Sequence, residues 1–213
     1  MTERRRNRPT RAELAAAHGT TVPDVLGPDL DVLFCGINPG LYSGWSGRHF
    51  ARPGNRFWPA LHAAGFTPRL LDPREQHLLP GLGLGITNLV DRATARADEL
   101  TGAELREGGR ALAAKLRVHR PRVLAVLGVT AYRQAFSRPH ARIGPQDPGD
   151  AVAGVPVWVL PNPSGLNAHW DVRGIAAELR RMREAHGIPP AAAADDRSAE
   201  QSPSPPPSGR GSA

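Results

Sequence analysis

At 213 residues the chain is long enough for one well-buried domain, and its 27 Lys and Arg against 20 Asp and Glu leave a net charge of +7. The single cysteine, Cys35, excludes an intramolecular disulfide framework and any iron–sulfur cluster held by four cysteines of this chain. No apolar stretch is long enough to span a membrane, the Arg-rich start lacks the apolar core of a signal peptide, and the eight His show no metal-ligand spacing. A cytoplasmic protein is expected, nucleoid-associated if the source is bacterial.

Residues 1–11 hold five Arg and one Glu without apolar periodicity, and residues 189–213 are mostly Pro, Ser, Ala and Gly. Such segments bury too little surface to fold. Residues 1–24 and 188–213 are therefore expected as disordered tails around a folded body, 25–187. That body carries 20 basic and 14 acidic residues, a surplus of +6. A basic body suits a polyanion such as nucleic acid; Arg-rich coding bias is the competing explanation.

Four short apolar runs, 32–37, 84–89, 123–127 and 155–160, read as buried strands. Cys35 lies in the first, where a small buried hydrophobe is the expected role. Between the runs lie helical patterns. Asn55 is placed to cap a helix carrying Phe57, Trp58 and Leu61. Thr101 and Glu104 have the capping-box spacing ahead of Leu105, Leu112 and Leu116. Residues 128–136 and 170–186 supply two further helices. Strands alternating with helices imply an α/β fold, a three-layer α/β/α sandwich with a short, mainly parallel four-stranded sheet.

Two strand-to-loop junctions carry Asn-Pro: Gly36-Ile37-Asn38-Pro39-Gly40 and Asn162-Pro163-Ser164-Gly165-Leu166. Both fall at the carboxyl edge of the expected sheet, where open α/β folds bind ligands. The glycine spacing matches neither nucleotide-binding fingerprint. Asn38 has two readings. It initiates a turn and satisfies local backbone, or it orients a water for a substrate whose own bond breaks readily, since an amide is no strong base. Phe50 either packs in the core or stacks on an extruded base. Leu166 is an incidental exposed apolar residue or a wedge that fills a vacated base stack.

Together with Asn55-Arg56-Phe57-Trp58 and Gly85-Ile86-Thr87-Asn88-Leu89-Val90-Asp91-Arg92, the two junctions resemble the motifs of the mismatch-specific uracil-DNA glycosylases, the family that includes the thymine-DNA glycosylases. The resemblance spans about residues 30–185. It implies a monomeric enzyme that needs no cofactor or metal, flips uracil from G·U mismatched duplex DNA, and leaves an abasic site. It implies that Asn38 positions the water and Phe50 stacks on the base, while backbone around Ile37 and Phe50 reads the pyrimidine edge. Asn162 lines the pocket. Ser164, Gly165 and Leu166 form the intercalating, mismatch-reading loop.

The substrate is less sharply drawn. Ser43 is similar to the uracil-preferring members, whereas His49 and Asn88 resemble the thymine-active ones, so G·T mismatches and modified cytosine stay open. Asn88 either bonds a base edge or caps its strand. Ala168 replaces the basic residue often found two positions after the wedge. Asp91 and Arg92 are expected as a buried pair shaping the pocket wall, and Arg56 touches phosphate or simply lies on the surface. A glycosylase for deaminated purines or alkylated bases, and a non-catalytic binder of mismatched or damaged DNA, are the competing functions.

Overall fold

A computed structural model describes residues 8–192 of the chain. Its sheet has β1 (Val32–Gly36), β2 (Leu84–Asn88), β3 (Val123–Leu127), β4 (Gly144–Pro145) and β5 (Val157–Leu160), in the order β2-β1-β3-β5-β4. The first three and β5 run parallel; β4 is antiparallel to β5. The sheet therefore has five strands, not the four expected. The extra one is two residues of Gly-Pro, which carry no apolar alternation, and proline is tolerated only at such an edge.

The four parallel strands are buried throughout, as a sheet covered on both faces requires. Side chains alternate between its two sides. Val32 and Phe34 join the core formed with helices α3 (Phe57–Ala63) and α6 (Val172–Ala185). Leu33 and Cys35 join the core formed with α4 (Gly102–His119) and α5 (Val129–Phe136). Cys35 is fully buried, and burial pushes its thiol pKa up, so it is a packing residue. The Thr101–Glu104 capping box forms as expected and starts α4.

The folded body is larger than 25–187. Thr10 and Glu13 form a capping box that starts helix α1 (Arg11–Ala16), which packs beside α2 (Leu41–Ser46). The chain then returns along the motif after β2: Gly19 N–H donates to the Ala93 carbonyl at 2.8 Å and Ala93 N–H to the Thr20 carbonyl at 2.7 Å. Ala17 and Val22 are buried. Most of the segment expected as an N-terminal tail is thus part of the domain; residues 1–7 lie outside the described residues. At the other end Ile188 is buried and Ala191 N–H donates to the Gly65 carbonyl. The remainder of the expected C-terminal tail, 193–213, lies outside the described residues.

Deleting residues 1–22 removes Ala17 and Val22 from the core. That apolar burial is worth about 2 kcal/mol, or roughly 4–8 °C in a chain of this size. Thermal melting should show that drop. Equal melting temperatures for the full and shortened chains would contradict the placement.

Candidate active site

The strand order reverses between β1 and β3, and a cavity of about 810 Å³ opens above their carboxyl ends. It receives the turn after β1, the end of β2 and the loop after β5. Ile37, Asn38, Ser43, His49, Phe50, Asn88, Asn162, Ser164 and Leu166 all line it. Gly165 alone among the expected site residues does not, although it sits in the same loop. Ile37 is half-buried and packs toward Gly128, and its carbonyl accepts from Val90 N–H.

Asn38 is held by its amide nitrogen. Nδ2 donates to Thr94 Oγ1 at 2.7 Å, to the Arg92 carbonyl at 3.0 Å and to the Pro39 carbonyl at 3.2 Å. Carbonyls only accept, and the Thr94 hydroxyl spends its proton on the Arg96 carbonyl. The amide therefore has one orientation. Its Oδ1 carries no hydrogen bond among the described residues and remains an acceptor. Arg92 is itself fixed, since its Nε donates to Glu104 at 2.6 Å and holds that carboxyl down to about 2. The expected Asp91–Arg92 pair does not form: Asp91 is exposed, and Arg92 pairs with Glu104 instead.

Phe50 stacks on the buried Phe57 ring, centroids 4.2 Å apart. Its backbone is left-handed, φ +53°, at a cost of about 1–2 kcal/mol for a non-glycine residue. Three hydrogen bonds around it offset that strain. His49 N–H donates to Gln76 Oε1, Trp58 Nε1 to the His49 carbonyl, and Ala51 N–H to Ser43 Oγ. Ser43 is buried and so serves the loop as well as the cavity wall.

His49 and Asn88 are coupled. His49 Nε2 lies 2.9 Å from the Pro23 carbonyl, which fixes the proton on that nitrogen. Nδ1 then accepts from Asn88 Nδ2 at 3.4 Å. Asn88 Oδ1 lies beside Gly36, where a β-carbon would come within 2.4 Å of it. Gly36 thus leaves the room that the Asn88 amide occupies.

In the loop after β5, Asn162 Oδ1 accepts from Ser164 N–H at 2.9 Å and Ser164 Oγ from Leu166 N–H at 3.3 Å. Leu166 projects with 73% of its surface exposed. Arg56, which begins α3, turns inward to this loop rather than outward to solvent. Its guanidinium donates to the carbonyls of Ser164 (3.0 Å), Gly165 (3.3 Å) and Asn167 (2.7 Å). Among the described residues no three His, Cys, Asp or Glu side chains gather as a metal cluster.

The family model described as the uracil DNA glycosylase superfamily matches residues 23–185, well over half of the chain. The chain belongs to that superfamily. Its fold is also similar to the solution NMR structure of a Methanosarcina acetivorans protein described as a candidate uracil DNA glycosylase. That likeness has a TM-score of 0.53 at 19% identity and covers 78% of this chain and 98% of the other. At this identity the second likeness speaks for the fold alone.

Within this superfamily fold, three positioning features escape a reading of sequence. Thr94 is hidden as one more loop threonine, although it follows the Asp91-Arg92 motif closely. The Arg56 contacts lie 108 to 111 residues away. The Pro23 contact comes from a segment whose Arg-rich composition masked its capping box.

Burial lowers the His49 pKa below its ordinary value. The unfolded chain takes up a proton near pH 6.5 that folded His49 resists, so stability falls as pH drops below that point. Melting temperature should therefore decline between pH 7.5 and 5.5, and decline less in His49→Gln. An equal decline in both proteins would contradict the buried neutral imidazole.

Proposed function

We propose that the protein is a monofunctional DNA glycosylase that flips uracil out of G·U mismatched duplex DNA, acting as a monomer and leaving an abasic site. The orientation of Asn38 carries this reading: its amide nitrogen is fully committed, so its oxygen is the group available to a water in the cavity. In the proposed reaction the C1′–N1 bond breaks first, and its electron pair leaves with the uracil. The sugar centre becomes oxocarbenium-like. Asn38 Oδ1 accepts a hydrogen bond from a water whose oxygen bonds to C1′; one hydrogen stays on that oxygen as the new hydroxyl, and the other leaves as a proton to solvent or the departing uracil anion. A weak base suffices because the substrate does most of the bond-breaking.

Phe50, seated on Phe57, offers a ring for the extruded base, and the exposed Leu166 offers the apolar side chain that fills the gap. The surplus of basic residues adds salt-sensitive affinity. Ser43 supports uracil over thymine, since its side chain is buried in the cavity wall where a 5-methyl group needs room. The His49–Asn88 pair supports the second reading, in which G·T mismatches are also processed.

Single-turnover cleavage of G·U, G·T, A·U and single-stranded uracil substrates tests the proposal. Cleavage confined to G·U is expected; comparable G·T cleavage selects the second reading, and cleavage of none overturns both. Asn38→Ala should lower the G·U rate by about 100-fold or more, the usual consequence of a misplaced reactant, while duplex binding persists. Leu166→Ala should lower it by roughly 10- to 100-fold through lost apolar burial. Normal rates in either variant would contradict the corresponding role.

A further inference from the structure

Arg56 grips the loop on both sides of Leu166. Its guanidinium bonds the Ser164 and Gly165 carbonyls before the leucine and the Asn167 carbonyl after it. Its backbone N–H adds a fourth bond, to the Pro163 carbonyl at 2.9 Å. Among the described residues Arg56 forms no ion pair; both hydrogens of Nη1 and one of Nη2 go to these carbonyls. A planar fork spreads its N–H donors over carbonyls on both sides of the leucine, whereas a lysine ammonium offers its three donors from a single point. The loop is also pressed against the turn before Arg56, because a β-carbon on Gly165 would lie 2.8 Å from the Gly54 carbonyl. The residue after Arg56 is Phe57, the ring on which Phe50 stacks. Arg56 therefore joins the exposed leucine to the aromatic platform through two adjacent residues.

We propose that Arg56 is a positioning residue that preorganises the Leu166 loop for duplex insertion and fixes it relative to the stacking platform, rather than a phosphate contact. A loop held in place before binding avoids an ordering cost on binding. The inference rests on the glycosylase reading for its consequence in DNA, but the free protein tests it separately.

Arg56→Met and Arg56→Lys are compared with native protein in three measurements. In the free protein, chymotrypsin should nick the 162–170 loop at least about tenfold faster in Arg56→Met, in proportion to the hydrogen bonds lost. Unchanged nicking overturns the clamp. With Asn38→Ala as background, 2-aminopurine placed beside the uracil of a G·U duplex reports unstacking at saturating protein. Arg56→Met should lose most of that signal and Arg56→Lys an intermediate share; full signal in both overturns the role in insertion. The slope of log affinity against log salt should be unchanged, whereas a slope reduced by about one identifies a phosphate contact and overturns the assignment. Arg56→Lys keeps the test decisive if Arg56→Met does not fold. If the Asn38→Ala background itself unstacks no G·U duplex, the glycosylase reading fails, and nicking of the free protein still decides whether Arg56 clamps the loop.

Discussion

The amide of Asn38 has one way to sit, and the chemistry proposed for the cavity depends on it. An asparagine free to rotate presents a donor or an acceptor to the same water and orients it poorly. Here the Arg92 carbonyl admits only a donor, and the Thr94 hydroxyl has already spent its proton on Arg96. The nitrogen is thereby assigned and the oxygen left over. A neutral side chain of modest basicity then becomes a directional acceptor without any pKa being moved.

That constraint is held from behind by groups that never reach the cavity. The Arg92 side chain is tied to Glu104, the same carboxylate that completes the capping box of α4 with Thr101. The N-terminal segment runs beside Arg92 and Ala93 and also supplies the Pro23 carbonyl that fixes His49, and through it Asn88. The opposite wall works the same way, with strain at Phe50 balanced by three hydrogen bonds and the Leu166 loop balanced on Arg56. Both walls are built from short motifs whose polar atoms are mostly used on each other.

Much of this was legible in the residues. The four buried strands followed from apolar runs, and the α4 start from Thr101 and Glu104, because both signals are local. The two Asn-Pro junctions marked the carboxyl edge for the same reason. What escaped was either too short or too distant. A two-residue edge strand of Gly-Pro has no period to detect. Thr10 and Glu13 have the spacing of a helix start, but the surrounding arginines suggested a tail, and its burial depends on a partner segment around Arg92 that no local pattern reveals. The Arg56 clamp and the Asn88–His49 bond join residues far apart in sequence, so only tertiary structure identifies their roles.

Single-turnover cleavage of a G·U duplex by Thr94→Val beside the native protein tests the fixed Asn38 amide most directly. The substitution keeps the side chain's shape and removes the hydroxyl that accepts from the Asn38 amide. The rate should fall by about tenfold, the worth of one buried hydrogen bond at the reacting group, with duplex affinity unchanged. A variant that cleaves at the native rate would contradict it, because the Asn38 amide would then need no fixed orientation to do its work.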